Sequence, residues 1–133
     1  MERAKIVKKI MIVDDEADVI YSIKAGLNNL SQNYVIEGVD SGQKCIEVLE
    51  TGIRPDIILL DIMMPEMDGF QTYDFLQQHK EWCKIPIVFL TALDDLGDID
   101  KGITTNTYCI RKPIQMKHLK EVIDEVLGRG SFF

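Results

Sequence analysis

Four short apolar runs, Lys9 to Val13, Tyr34 to Val39, Ile57 to Leu60 and Ile87 to Leu90, recur along the chain, each partly β-branched and bounded by polar or turn residues. Runs of this length and composition read as strands. Three of them lack polar/apolar alternation, the pattern of a parallel sheet covered by helices on both faces. Helical patterns lie between them. Val19, Ile20, Ile23, Leu27 and Leu30 form one apolar stripe, and Cys45, Ile46 and Leu49 a second, with Asp40 or Ser41 as N-cap and Gly52 just past the end. A third helix is expected after Asp68-Gly69, turning Phe70, Tyr73 and Leu76 inward, and a last one after Pro113, burying Leu119, Val122, Ile123, Val126 and Leu127. Gly97, Gly102 and three threonines interrupt the segment from Asp94 to Thr107, so a fourth helix there is expected to be short or irregular. Tyr108-Cys109-Ile110 then supplies a fifth strand. Strict β/α alternation with right-handed crossovers predicts an α/β fold, an open doubly wound five-stranded parallel sheet of flavodoxin-like or half-Rossmann arrangement.

At 133 residues the chain fits one domain and can bury a core. Its 46% hydrophobic and 28% charged residues exclude a disordered or fibrous chain. Twenty-two acidic residues against 15 basic ones give a net charge of −7, which repels nucleic acid and anionic lipid, so neither is an expected partner. The only early apolar run is broken by Asp14, which argues against a signal peptide or membrane helix and for a cytoplasmic protein. Cys45, Cys83 and Cys109 are far apart and odd in number, and are expected to be buried, reduced thiols. His79 and His118 read as plain surface residues, Lys5, Lys8 and Lys9 as a solvated face, and Trp82 as packing beside the third helix. Met63, Met64 and Met67 read as packing rather than a contact surface.

In open α/β sheets the site lies outside the carboxyl ends of the strands, where the strand order reverses. The first strand ends in Asp14-Asp15-Glu16, the third in Asp61 and the fourth in Thr91, and Lys112 follows the fifth. A strand order of 2-1-3-4-5 makes the first and third strands neighbours and brings Asp14, Asp15 and Asp61 together, with Thr91 and Lys112 beside them. Taken singly, each has a plain explanation as a helix cap, turn residue or solvated charge; their coincidence at four strand ends does not. Carboxylates sharing one crevice repel unless a cation compensates. All-oxygen ligands suit Mg²⁺, which keeps several waters and completes its shell with a phosphate oxygen. A carboxylate beside Mg²⁺ and an ammonium is a plausible nucleophile toward phosphorus, and Asp61 is the central candidate.

The set Ile12-Val13-Asp14-Asp15-Glu16, Asp61-Ile-Met-Met-Pro65-Glu-Met-Asp68-Gly69, Leu90-Thr91-Ala92 and Lys112-Pro113 resembles the motifs of the receiver domain of two-component response regulators of the chemotaxis-regulator kind. The match spans Lys9 to about Leu127. The resemblance implies the flavodoxin-like order 2-1-3-4-5, with residues 1–8 as an N-terminal extension, 9–127 as the receiver and 128–133 as a C-terminal tail. It further implies that Asp61 is the phosphoacceptor, that Asp14, Asp15, Asp61 and the Met63 backbone carbonyl bind Mg²⁺, that Thr91 is the switch hydroxyl, that Lys112 contacts the phosphate, and that the Lys112-Pro113 bond is cis. The implied function is a phosphorylation-dependent signalling switch rather than an enzyme acting on outside substrates. Its partners would be a histidine kinase or phosphotransfer protein and a downstream protein or output domain, a homodimer being left open. No output domain is expected in the chain itself. Members of the family usually carry a Gly-Ala pair and then an aromatic three residues before the Lys; here Thr105-Asn106 and Cys109 stand there, and Tyr108 sits one residue early, aimed at the opposite face. The phosphoryl response is therefore expected to be taken up by rearrangement between Asp94 and Tyr108.

Three rivals remain. A phosphatase using Asp61 would be supported by a D-x-D pair, but position 63 is Met. A flavin module needs a hydroxyl- and Gly-rich phosphate loop where Asp14-Asp15-Glu16 stands. A receiver that binds partners without phosphorylation is not supported, because all five site residues are present. P-loop, H-E-x-x-H, G-x-S-x-G and G-x-G-x-x-G motifs are absent.

Overall fold

The computed structural model describes residues 7–92 and 108–130, without the side chains of 129 and 130. Its elements run β1 (Lys8–Val13), α1 (Ala17–Leu30), β2 (Tyr34–Val39), α2 (Gly42–Glu50), β3 (Ile57–Asp61), α3 (Gly69–Gln77), a 3₁₀ turn (Trp82–Lys84), β4 (Ile87–Thr91), β5 (Tyr108–Arg111) and α4 (Met116–Gly130). All strand pairs are parallel and the sheet order is β2-β1-β3-β4-β5. Expected strands and observed strands coincide to within a residue at each end. The extra residue at the carboxyl end of β3 is Asp61, and that of β4 is Thr91. The expectation for residues 94–107 lies outside the described residues, as does Lys5.

Successive side chains on a strand face opposite sides, so the sheet sorts its apolar residues into two cores. Met11, Val13, Ile58, Leu60 and Phe89 pack with Cys45, Leu49, Tyr73 and Leu76 from α2 and α3. Ile10, Ile12, Leu59, Val88 and Leu90 pack with Ile23 and Leu27 of α1 and Leu119 and Ile123 of α4. The same parity separates β5: Cys109 packs against the α2/α3 core and Tyr108 against the α1/α4 core, which is the offset its one-residue shift predicts.

Local chemistry places the helix starts. Ser41 Oγ accepts from the Lys44 N–H at 3.1 Å at the head of α2. Asp68 opens α3 with a capping box: its carboxylate accepts from the Gln71 N–H at 2.8 Å, and the Gln71 side chain accepts from the Asp68 N–H at 2.9 Å.

Four side chains depart from expectation. Leu30, on the spacing of the α1 stripe, is exposed as the last residue of the helix. Cys83 is exposed, unlike buried Cys45 and half-buried Cys109, since it sits in the 3₁₀ turn with only Trp82 turned inward. Of the three methionines, Met64 and Met67 pack against the α2/α3 core while Met63 is 57% exposed. His79 is half-buried rather than a plain surface residue: its Nδ1 accepts from the N–H groups of Glu81 at 3.1 Å and Trp82 at 3.2 Å, and its ring stacks on the indole at 3.8 Å. Trp82 is buried beside α3 as expected. Among the described residues no helix is long and apolar enough to cross a membrane.

Candidate functional site

The sheet delivers the polar residues to one end. Asp14 follows β1 directly, its N–H donating to the Val39 carbonyl at 3.1 Å, so the β1/β2 ladder holds its backbone. The side chain is fully buried. One carboxylate oxygen accepts from the Glu16 N–H at 2.9 Å, and the other from the Lys112 ammonium at 2.9 Å. Asp61, the last residue of β3, is 2% exposed; its Oδ1 accepts from the Met63 N–H at 3.3 Å and lies 3.5 Å from Lys112 Nζ. Lys112 is held in turn by its own N–H, which donates to the Thr91 carbonyl at 2.7 Å, and its bond to Pro113 is cis. Thr91 is fully buried at the end of β4, opposite Arg111. One ammonium thus bridges the carboxylates of β1 and β3, and strands far apart in sequence supply all three groups.

Burial, reinforced by the negative charge of Asp14, pushes the Asp61 carboxyl up to about 6; Lys112 and the Met63 N–H offset part of this. Burial by itself would lower the Lys112 ammonium, but the hydrogen bond and charge of Asp14 and the charge of Asp61 outweigh it, and the net shift is upward. The site therefore holds its ammonium protonated beside a carboxylate that is mostly ionised at neutral pH.

Asp14, Asp15 and Glu16 each offer a carboxylate oxygen, the three lying within 4.8 Å of one another, Asp14 buried and the other two exposed. Asp61 joins Asp14 through Lys112, so among the described residues the carboxylates at this end of the sheet outnumber the ammonium groups bridging them. Hard oxygen donors in anionic excess fit a divalent cation such as Mg²⁺. The expectation placed the metal on Asp14, Asp15, Asp61 and the Met63 carbonyl; that the Glu16 carboxylate lies beside the first two was not part of it. The ion pair between Lys112 and Asp14 was also missed, because residues 98 positions apart meet only through the sheet. After Asp61 the loop folds back tightly: Glu66 takes φ +65° and the Gly69 N–H donates to the Ile62 carbonyl at 2.8 Å.

An α/β sheet in this order with acid, hydroxyl and ammonium at one end defines a receiver-type fold. The family model for the response regulator receiver domain matches residues 10–124, and the chain belongs to that family. It is 32% identical over 93% of its length to a probable transcriptional regulator, ycf27, of Guillardia theta, covering 47% of that protein. The chain spans about half the length of the curated relatives it matches. Among solved structures it resembles the N-terminal domain of a response regulator/sensory box/GGDEF three-domain protein from Carboxydothermus hydrogenoformans, with a TM-score of 0.78, 30% identity and coverage of 93% of this chain and 97% of that one. A second is the receiver domain of the sensor histidine kinase PA1611 of Pseudomonas aeruginosa, solved with magnesium in its active-site cleft; at 23% identity, TM-score 0.79 and coverage of 92% and 98%, it speaks to the fold.

Proposed function

We propose that this receiver domain works by phosphorylation of Asp61, and the observation that carries the reading is Lys112 Nζ lying 2.9 Å from Asp14 and 3.5 Å from Asp61. An Asp61 carboxylate oxygen attacks the phosphorus of the donor, and the bond from phosphorus to the donor's leaving atom breaks, the nitrogen of a phosphohistidine taking up a proton as it departs. Lys112 holds a phosphoryl oxygen, and the Thr91 hydroxyl donates to another once the acylphosphate has formed. The reverse course is hydrolysis: water attacks phosphorus and the Asp61 carboxylate leaves. Asp14, Asp15, Asp61 and the Met63 carbonyl would hold Mg²⁺, which neutralises charge on the phosphoryl oxygens when bound. The chain acts as an assisted phosphoacceptor rather than on outside substrates.

The family supports a histidine kinase or phosphotransfer protein as donor. Signalling then proceeds by contact with a downstream protein or output domain. The relatives named as transcriptional regulators, half-covered by this chain, favour an output domain in a longer protein. The unit assigned to the receiver is 9–127, flanked by 1–8 and 128–133, and the setting is the cytoplasm.

Incubation with acetyl phosphate and Mg²⁺, read by intact mass, is expected to add one phosphoryl group that is absent from Asp61→Asn. Equal labelling of that variant would place the acceptor elsewhere.

A further inference from the structure

The backbone that carries both Asp61 and Met63 is seated directly on the first residue of α3. The Ile62 N–H donates to the Leu90 carbonyl of β4 at 3.0 Å, and the Ile62 carbonyl accepts from the Gly69 N–H at 2.8 Å. The Met63 N–H closes on the Asp61 carboxylate. The segment 61–63 is thus pinned on one side by β4 and on the other by α3.

The approach from α3 is closer than any side chain allows. A Cβ at Gly69 would collide with the Asp61 carbonyl oxygen and come within 2.7 Å of Ile62 Cα and 3.0 Å of the Asp61 carbonyl carbon, all of them backbone atoms. Gly69 is also buried. Neither partner has slack to yield. The capping box of Asp68 and Gln71 fixes the helix start, and the ladder to β4 fixes the strand end.

We infer that Gly69 is a positioning residue for phosphoryl transfer: the missing side chain lets α3 press against the Asp61–Ile62 backbone and so sets the Asp61 carboxylate and the Met63 carbonyl relative to Lys112. Resting on the reading of Asp61 as acceptor, this assigns the turn after β3 a part in the chemistry beyond reversing the chain. A Cβ at position 69 displaces the 61–63 backbone, and both the nucleophile and a metal-binding carbonyl move with it. Displacements approaching 1 Å at a reacting group cost about a hundredfold in rate, so even a partial shift is measurable.

Other glycines supply the control. A Cβ at Gly38 of β2 would strike the Ile20 side chain, a packing conflict that leaves the acceptor segment untouched. Gly69→Ala and Gly38→Ala are compared for stability, for the rate of phosphorylation by acetyl phosphate, and for Mg²⁺ affinity by calorimetry in the absence of donor. Gly69→Ala is expected to lose about tenfold or more in rate and several-fold in Mg²⁺ affinity, whereas Gly38→Ala stays within about twofold on both while also losing stability. If Gly69→Ala is poorly folded, the measurements are repeated in trimethylamine N-oxide, which favours the folded state without relieving the clash. A folded Gly69→Ala protein with parental rate and Mg²⁺ affinity overturns the inference, and so does a chain that stays unfolded in the osmolyte, since Gly69 would then serve the fold alone. Absence of labelling in the parent would instead overturn the reading of Asp61.

Discussion

At Asp61, burial and the charge of Asp14 both work against ionisation, and Lys112 compensates only in part. Because the folded-state value of about 6 lies above the ordinary 3.8, the folded protein holds the proton more tightly than the unfolded chain. The stability this confers is full below about pH 4 and is lost as pH rises through about 6. Without metal, the parent is therefore expected to lose about 1 kcal/mol relative to Asp61→Asn between about pH 5 and 7, read from urea midpoints of the two proteins. Parallel pH profiles would show that Lys112 neutralises the site fully. The residue types at the site were legible from their places at strand ends. At Cys45, by contrast, burial alone pushes the thiol up to about 12, so it stays protonated at neutral pH.

Among the elements, the joint between α3 and β4 has a construction that spacing does not reveal. His79 Nδ1 accepts two backbone N–H groups and its ring lies on Trp82, which also stacks with Phe75 at 6.4 Å. Seen as a histidine among Gln and Lys, this residue reads as solvated surface; its acceptor nitrogen matters only once the chain turns at Lys80. His79→Ala removes two hydrogen bonds and a ring contact and is expected to cost about 1–3 kcal/mol. Trp82 is the single tryptophan, so the same variant should shift its emission to the red as water reaches the indole. An unchanged spectrum with unchanged stability would make the stack incidental. The helix starts at Ser41 and Asp68, in contrast, were readable because a cap acts within three residues of itself.

For the molecule as a whole, the proposed Mg²⁺ site at one end of the sheet would couple folding to cation binding. A ligand that binds only the folded state stabilises it by mass action. Mg²⁺ at about ten times its dissociation constant is expected to add about 1.4 kcal/mol to the parent. Asp15→Asn should abolish most of that gain, and because Asp15 is exposed it should leave the metal-free stability nearly unchanged. Thermal melts with and without the ion check this, and a melting temperature indifferent to millimolar Mg²⁺ would remove the metal from the reading. The sequence by itself determined the alternation of strands and helices, the two-sided burial of the sheet, the placing of Asp14, Asp61, Thr91 and Lys112 at strand ends, and the opposed facing of Tyr108 and Cys109. Each of these follows from a period of 2 or 3.6 or from a cap, and such rules act between near neighbours. Only the tertiary structure decided that Lys112 bridges Asp14 and Asp61, that Cys83 and Met63 stay exposed while Met64 is buried, and that position 69 has no room for a side chain. Those outcomes depend on distances between elements remote in sequence, and packing across the sheet sets them.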